Sequence, residues 1–225
     1  MRFRSAALVV TAFAVAMAYL EAAVVVYLQR LLAITPDTLF PLRGSEVVGN
    51  LAAIEAGREV ATLVMLVALG CLIGRGWVGR LAWTAVAFGV WDVFYYVWLW
   101  LFVGWPHSPT AWDVLFLIPV PWAGPVWAPM AVSACLIGFG LATARRVNLG
   151  SMSRVGAGCV LGAVAGGLLV VLSFTANAPS LMSGGLPGWF PWPVFAVGVG
   201  LAGWSAAASL GAGPGAEGTT ESHLS

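Results

Sequence analysis

An all-α, polytopic membrane bundle of about six helices is predicted by three features of the sequence. Of the 225 residues, 60% are hydrophobic and only 8% charged, with a mean hydropathy of +0.94. A soluble domain carries about 25% charged residues, so this chain lacks the polar surface that water requires, and a lipid bilayer is its expected solvent and first partner. The apolar residues also fall into long runs, each approaching or exceeding the ~20 residues that a spanning helix needs. Finally, arginines concentrate in alternate connections between the runs, as the positive-inside rule demands.

The same composition excludes several functions. A net charge of +1 gives no basic surface for nucleic acid. All ten basic residues are Arg and none is Lys, which, with abundant Ala and Gly, points to a GC-rich bacterial genome and hence a bacterial inner membrane. Cys71, Cys135 and Cys159 lie in separate apolar runs without a C-x-x-C spacing, and read as small buried hydrophobes. His107 falls in a loop and His223 in the C-terminal tail. No imidazole enters an apolar run, which disfavours haem, copper and zinc.

The first run extends from about Ser5 to Ile34, interrupted by Glu21 and by Gln29-Arg30. A signal peptide is the competing reading, with Arg2 and Arg4 before an apolar stretch and Ala16-Met17-Ala18 as a cleavage site. The apolar run continues through Val24-Val25-Val26, which a signal peptide does not need. Thr35 to Ser45 reads as a loop from its Pro and Gly content, with Ser45 placed to cap the next helix. The second run, about Glu46 to Ile73, holds Glu55, Arg58 and Glu59. A basic turn, Gly74 to Arg80, leads into the third run, about Leu81 to Val103, which holds Asp92, Tyr95 and Tyr96.

Gly104 to Pro129 contains Pro106, Pro109, Pro119, Pro121, Pro125 and Pro129. Prolines this dense forbid a regular helix. The segment is expected either as an interfacial or re-entrant element between the third and fourth helices or as a hydrophobic loop on the outer surface. It opens on Trp112-Asp113-Val114, repeating Trp91-Asp92-Val93, and could bring Asp113 towards the same polar centre. The fourth run spans about Val126 to Ala144, the fifth about Val155 to Ala178 and the sixth about Trp189 to Leu210. Gly158, Gly162 and Gly166 place small residues on one helical face, a surface for close packing with another helix or for association with a second copy or subunit. Residues 1–210 thus form one transmembrane domain, and the Gly-, Ser- and Thr-rich residues 211–225 a disordered cytoplasmic tail.

With the N-terminus cytoplasmic, Arg2, Arg4, Arg75, Arg80, Arg145, Arg146 and Arg154 all lie inside. At about 1.5 Å per residue, Glu21 then sits roughly 25 Å above the inner end of its helix, and Asp92 roughly 17–20 Å above the inner end of its own. Glu55, Arg58 and Glu59, three and four residues apart on one helical face that continues to Thr62, sit roughly 14–20 Å below the outer end of theirs. Charge at such depth is costly and marks a candidate site. Glu21, Glu55, Arg58, Glu59, Asp92, Tyr95, Tyr96 and Asp113 are therefore expected to converge as a proton, cation or ligand site, with Tyr19 beside Glu21. A surplus of carboxylates over the single guanidinium asks for bound protons or a hard divalent cation.

Three function classes fit these residues. One is a transporter or binding protein for a cation or a proton-coupled small solute. Another is a membrane enzyme using carboxyls as acid and base, or holding a metal, against a lipid-soluble substrate. The last is a non-catalytic subunit or assembly factor in which the charges only lock helices together.

Overall fold

The computed structural model describes residues 2–31, 46–152, 155–183 and 187–211. The loop expected at 35–45, the cap at Ser45 and the C-terminal tail lie outside the described residues. The chain folds as α1 (Phe3–Leu31), α2 (Glu46–Ile73), α3 (Gly76–Val103), β1 (Trp112–Phe116), β2 (Trp122–Pro125), α4 (Trp127–Asn148), α5 (Ala157–Thr175), a short α6 (Ala178–Met182) and α7 (Trp192–Gly211). Six of these helices are long and apolar enough to cross a membrane, which fits a multi-pass membrane protein. Their outward faces carry bare apolar side chains, among them Leu8, Leu72, Leu161 and Trp204.

α3 is the central helix, with α1, α2 and α4 packed on it. α1 offers it a strip of small residues, Ala14, Ala18 and Ala22, spaced four apart and fully buried. Small side chains let two helices approach closely, which matters in lipid, where no hydrophobic force drives helices together. α1 runs unbroken through Ala16-Met17-Ala18, with Met17 and Ala18 in the bundle core. The indole of Trp98, near the C-terminal end of α3, donates to the Val15 carbonyl in the middle of α1 at 3.1 Å.

α5 and α7 form a second unit. A Cβ on Gly166 would lie 2.6 Å from the backbone of Ala202 and Gly198, so only hydrogen fits there. Gly162 faces Ser205 of the same helix, whereas Gly158 faces open space. Two glycines of the predicted face are thus used inside the chain, between α5 and α7.

The proline-rich stretch contains an antiparallel hairpin, β1 with β2, instead of a structureless segment, so the chain is mostly helical but not wholly α. Trp112 pairs with Pro125, Asp113 with Gly124 and Val114 with Ala123, and the register shifts before Phe116 meets Trp122. Strand pairing, the bonds from Val126 N to the Ala111 carbonyl (2.9 Å) and from Trp127 N to the Pro109 carbonyl (3.0 Å) satisfy backbone groups that proline would leave idle in a helix. Alternation in a strand of five residues flanked by prolines was too brief to announce this in the sequence. Gly124 lies flat against the rings of Phe174 and Phe190, where a Cβ would come within 2.7 Å of an aromatic carbon. Around it an aromatic cluster, including Trp127 stacked on Trp192 at 4.2 Å between ring centroids, hangs the α5–α7 unit from the hairpin end of the bundle.

Candidate functional site

The eight predicted site residues occupy the face of α3 turned to α1, α2 and the hairpin, together with the flank of α3 that meets α4. They form three adjoining groups and not one cavity. The first is centred on Arg58. Its guanidinium presents a fork to Glu55, with Nε donating to Oε2 at 3.0 Å and Nη2 meeting Oε1, while Nη1 pairs with Glu21 across the α1–α2 contact. The side chains of Arg58, Glu55 and Glu21 are 22%, 18% and 11% exposed. Thr62, one turn further along α2, donates its hydroxyl to the second oxygen of Glu21 at 3.2 Å. A forked arginine between two carboxylates is among the stronger polar contacts proteins make, because charge assistance and geometry act together.

Glu59 belongs to the second group. It is buried, and both its oxygens lie 2.9 Å from the backbone N–H of Leu117, at the head of the turn between the strands. This N–H follows the last residue of β1, Phe116, where strand pairing has ended. The helix thus supplies from its side chain the acceptor that the hairpin lacks. Glu59 remains within electrostatic reach of both Arg58 and Glu55.

The third group lies along α3. Asp92 is buried, and its Oδ2 accepts the Ser133 hydroxyl of α4 at 2.7 Å. One turn on, the hydroxyl of buried Tyr96 donates to Asp113 of β1 at 2.9 Å. The other oxygen of Asp113 accepts its own strand's Val114 N–H at 2.9 Å. Enclosure of the Asp113 carboxyl pushes its pKa up to about 7, and the charge of nearby Asp92 adds to the rise, while the Tyr96 and Val114 donors oppose it. Tyr95 stands between the groups, close enough to feel the charges of Asp113, Arg58, Glu55 and Asp92. Its ring contacts Trp91 and Tyr96.

Several placements differ from the sequence reading. Tyr19 does not flank Glu21; it is 45% exposed and packs edge-on against Trp98 and Phe102. Asp92 is held by α4 and not by Arg58. Ser133 and the Leu117 amide were not foreseen. A serine in an apolar helix gives a weak signal, and a backbone donor gives none. Among the described residues, no three Asp, Glu, His or Cys side chains cluster as a metal-holding group, so the donor set does not fit the hard divalent cation that the acid surplus suggested. The side chains of α2 before Ala53 lie outside the described residues.

On its far side, α3 borders a cleft of ≈ 600 Å³ between the α3–α4 pair and the α5–α7 pair, with an almost wholly apolar wall. Asp92 and Ser133 are among its lining residues, so the third group touches both the hairpin side and the cleft. Comparison with known families, with characterised proteins and with solved structures returns no match.

Proposed function

We propose that this multi-pass membrane protein binds protons on its carboxylate network and couples their uptake and release to a cation or small solute arriving from the hairpin side. The observation that carries this reading is an imbalance of charge. Among the described residues, Glu21, Glu55, Glu59, Asp92 and Asp113 share one guanidinium, Arg58, which is engaged by Glu21 and Glu55. Glu59, Asp92 and Asp113 receive only neutral donors. An ionised carboxylate withdrawn from water and without a cation costs several kcal/mol. A bound proton or a passing cation removes that cost, and Tyr95 and Tyr96 supply hydroxyls along which protons can be handed on. Arginine placement supports a bacterial inner membrane with both termini cytoplasmic and the hairpin outside.

A second reading, an enzyme acting on a lipid-soluble substrate, is favoured by one observation: Asp92 and Ser133 stand in the wall of an apolar cleft.

The test uses purified protein, in detergent and in liposomes. The folded pKa of Asp113 is about 7 against an ordinary 3.8. The folded protein therefore keeps a proton that the unfolded chain has lost, so stability falls as pH rises from about 4 to about 7 and levels off above. Asp113→Asn should make this slope shallower by the share of one carboxyl while keeping the fold. In liposomes under an imposed potential, wild type should acidify or alkalinise the lumen, and Glu59→Gln, Asp92→Asn and Asp113→Asn should not. Uniform destabilisation by these variants, with no pH linkage and no flux, would leave the acids as structural ties. In a cysteine-free background, Ser108→Cys should label from outside and Ser151→Cys only after permeabilisation; the reverse would invert the orientation.

A further inference from the structure

We infer that the cleft between the α3–α4 and α5–α7 pairs is a binding site for one long-chain lipid carrying a hydroxyl head group, seated with its head beside Asp92. This site shares Asp92 with the proton reading but otherwise uses the opposite side of α3, and cleft labelling is read separately from proton flux. Length and an apolar wall suit a chain-like occupant. The cleft is lined from Trp77 to Asp92 on α3, from Pro129 to Thr143 on α4 and from Cys159 to Phe174 on α5. Each stretch covers some fifteen residues, so the cleft runs about 22 Å along the helices. With ≈ 600 Å³ of space and an almost wholly apolar wall over that length, the cleft suits a single extended hydrocarbon chain.

The polar groups decide the head. An alkyl chain gains nothing from leaving lipid for an apolar cleft, because the two surroundings are equally apolar. Selection must come from hydrogen bonds, which count for more at low dielectric. Asp92 is 6% exposed and lines the cleft, and only its Oδ2 has a partner, Ser133; among the described residues no donor meets Oδ1. Trp122 also lines the cleft, and its buried indole N–H has no acceptor among the described residues. One group needs a donor and the other an acceptor, and a hydroxyl is both. The site resembles other ligand pockets in volume and in having few polar groups on an apolar wall. α4 meets α7 where Trp127 stacks on Trp192 and where the Phe139 ring lies near Gly203, and the cleft lies beside these contacts.

The experiment is photo-labelling of the full-length protein in nanodiscs with a diazirine-bearing hexadecanol, with adducts mapped by mass spectrometry. Adducts should concentrate on α4 and α5 residues of the cleft, such as Leu136 and Val164. Unlabelled hexadecanol should compete about tenfold better than hexadecane, the order expected from one or two net hydrogen bonds, and Asp92→Asn with Ser133→Ala should reduce that difference. Ala163→Trp, which fills the cleft from an otherwise exposed position, should remove the cleft adducts while labelling of the outer faces persists and the melting temperature holds. An isoprenoid alcohol of similar length, used as competitor, separates the two natural sources of such a chain: stronger competition than hexadecanol identifies an isoprenoid ligand, weaker competition an acyl one. Adducts spread evenly over lipid-facing helix surfaces, equal competition by alcohol and alkane, or unchanged cleft labelling in Ala163→Trp would each overturn the inference.

Discussion

Arg58→Ala tests whether the charges on α1 and α2 are a matched unit. Removing the guanidinium strands Glu21 and Glu55, both of which pair with it. Breaking a buried ion pair from one side costs about 3–5 kcal/mol. The side chains here keep 11–22% exposure, which admits some water and puts the expected loss near the lower figure, about 3 kcal/mol. For a chain of this length, 1 kcal/mol corresponds to about 2–4 °C in melting temperature, so Arg58→Ala should melt roughly 6–12 °C lower. The control is Arg145→Ala, an exposed arginine in the last turn of α4, which loses only a few tenths of a kcal/mol of helix-end electrostatics. Tryptophan fluorescence during heating in detergent measures both. The triple variant Glu21→Leu, Arg58→Met, Glu55→Leu should recover most of the loss, because no charge is then stranded and apolar replacement of a buried network is often neutral. Equal melting of Arg58→Ala and Arg145→Ala, or a triple variant less stable than the single one, would refute the matched-unit reasoning.

Two further outcomes follow from close contacts. Glu59→Ala leaves the Leu117 N–H without an acceptor, a loss of about 1–3 kcal/mol, whereas Glu59→Gln keeps one oxygen in place. Hydrogen exchange at residues 115–118 should therefore rise in the alanine variant and hold in the glutamine variant, and equal exchange in both would show that the side chain does not anchor the hairpin. Gly166→Ala drives a methyl into the backbone of α7, 2.6 Å from Ala202 N and Gly198 O, and should cost about 1–3 kcal/mol. Gly158→Ala meets open space and should gain up to about 1 kcal/mol from helix propensity; thermal melts that rank the two variants the other way would contradict the α5–α7 packing.

The sequence by itself determined the number and order of the apolar helices, because the length of an apolar run and the near absence of charge are properties of the chain alone. The second run was delimited at Glu46 and Ile73, the bounds that α2 has, and the others differ from their helices by a few residues at the ends, where capping and packing compete. Glu55, Arg58 and Glu59 were legible as one group because helical periodicity places them on one face whatever the rest of the chain does. Which partner each took was decided only by tertiary structure. Glu59 took the Leu117 amide because that N–H, just past the end of β1, has left the strand pairing and lies within its reach. Asp92 went to Ser133 because α4 packs on that flank of α3, a contact between residues 41 apart in the chain. The hairpin itself, made of strands of five and four residues among prolines, is held by the helices around it and has no periodic signature of its own. The cleft is likewise a property of two helix pairs joined at one end by an aromatic cluster and left apart below it, and no local pattern records a space between elements.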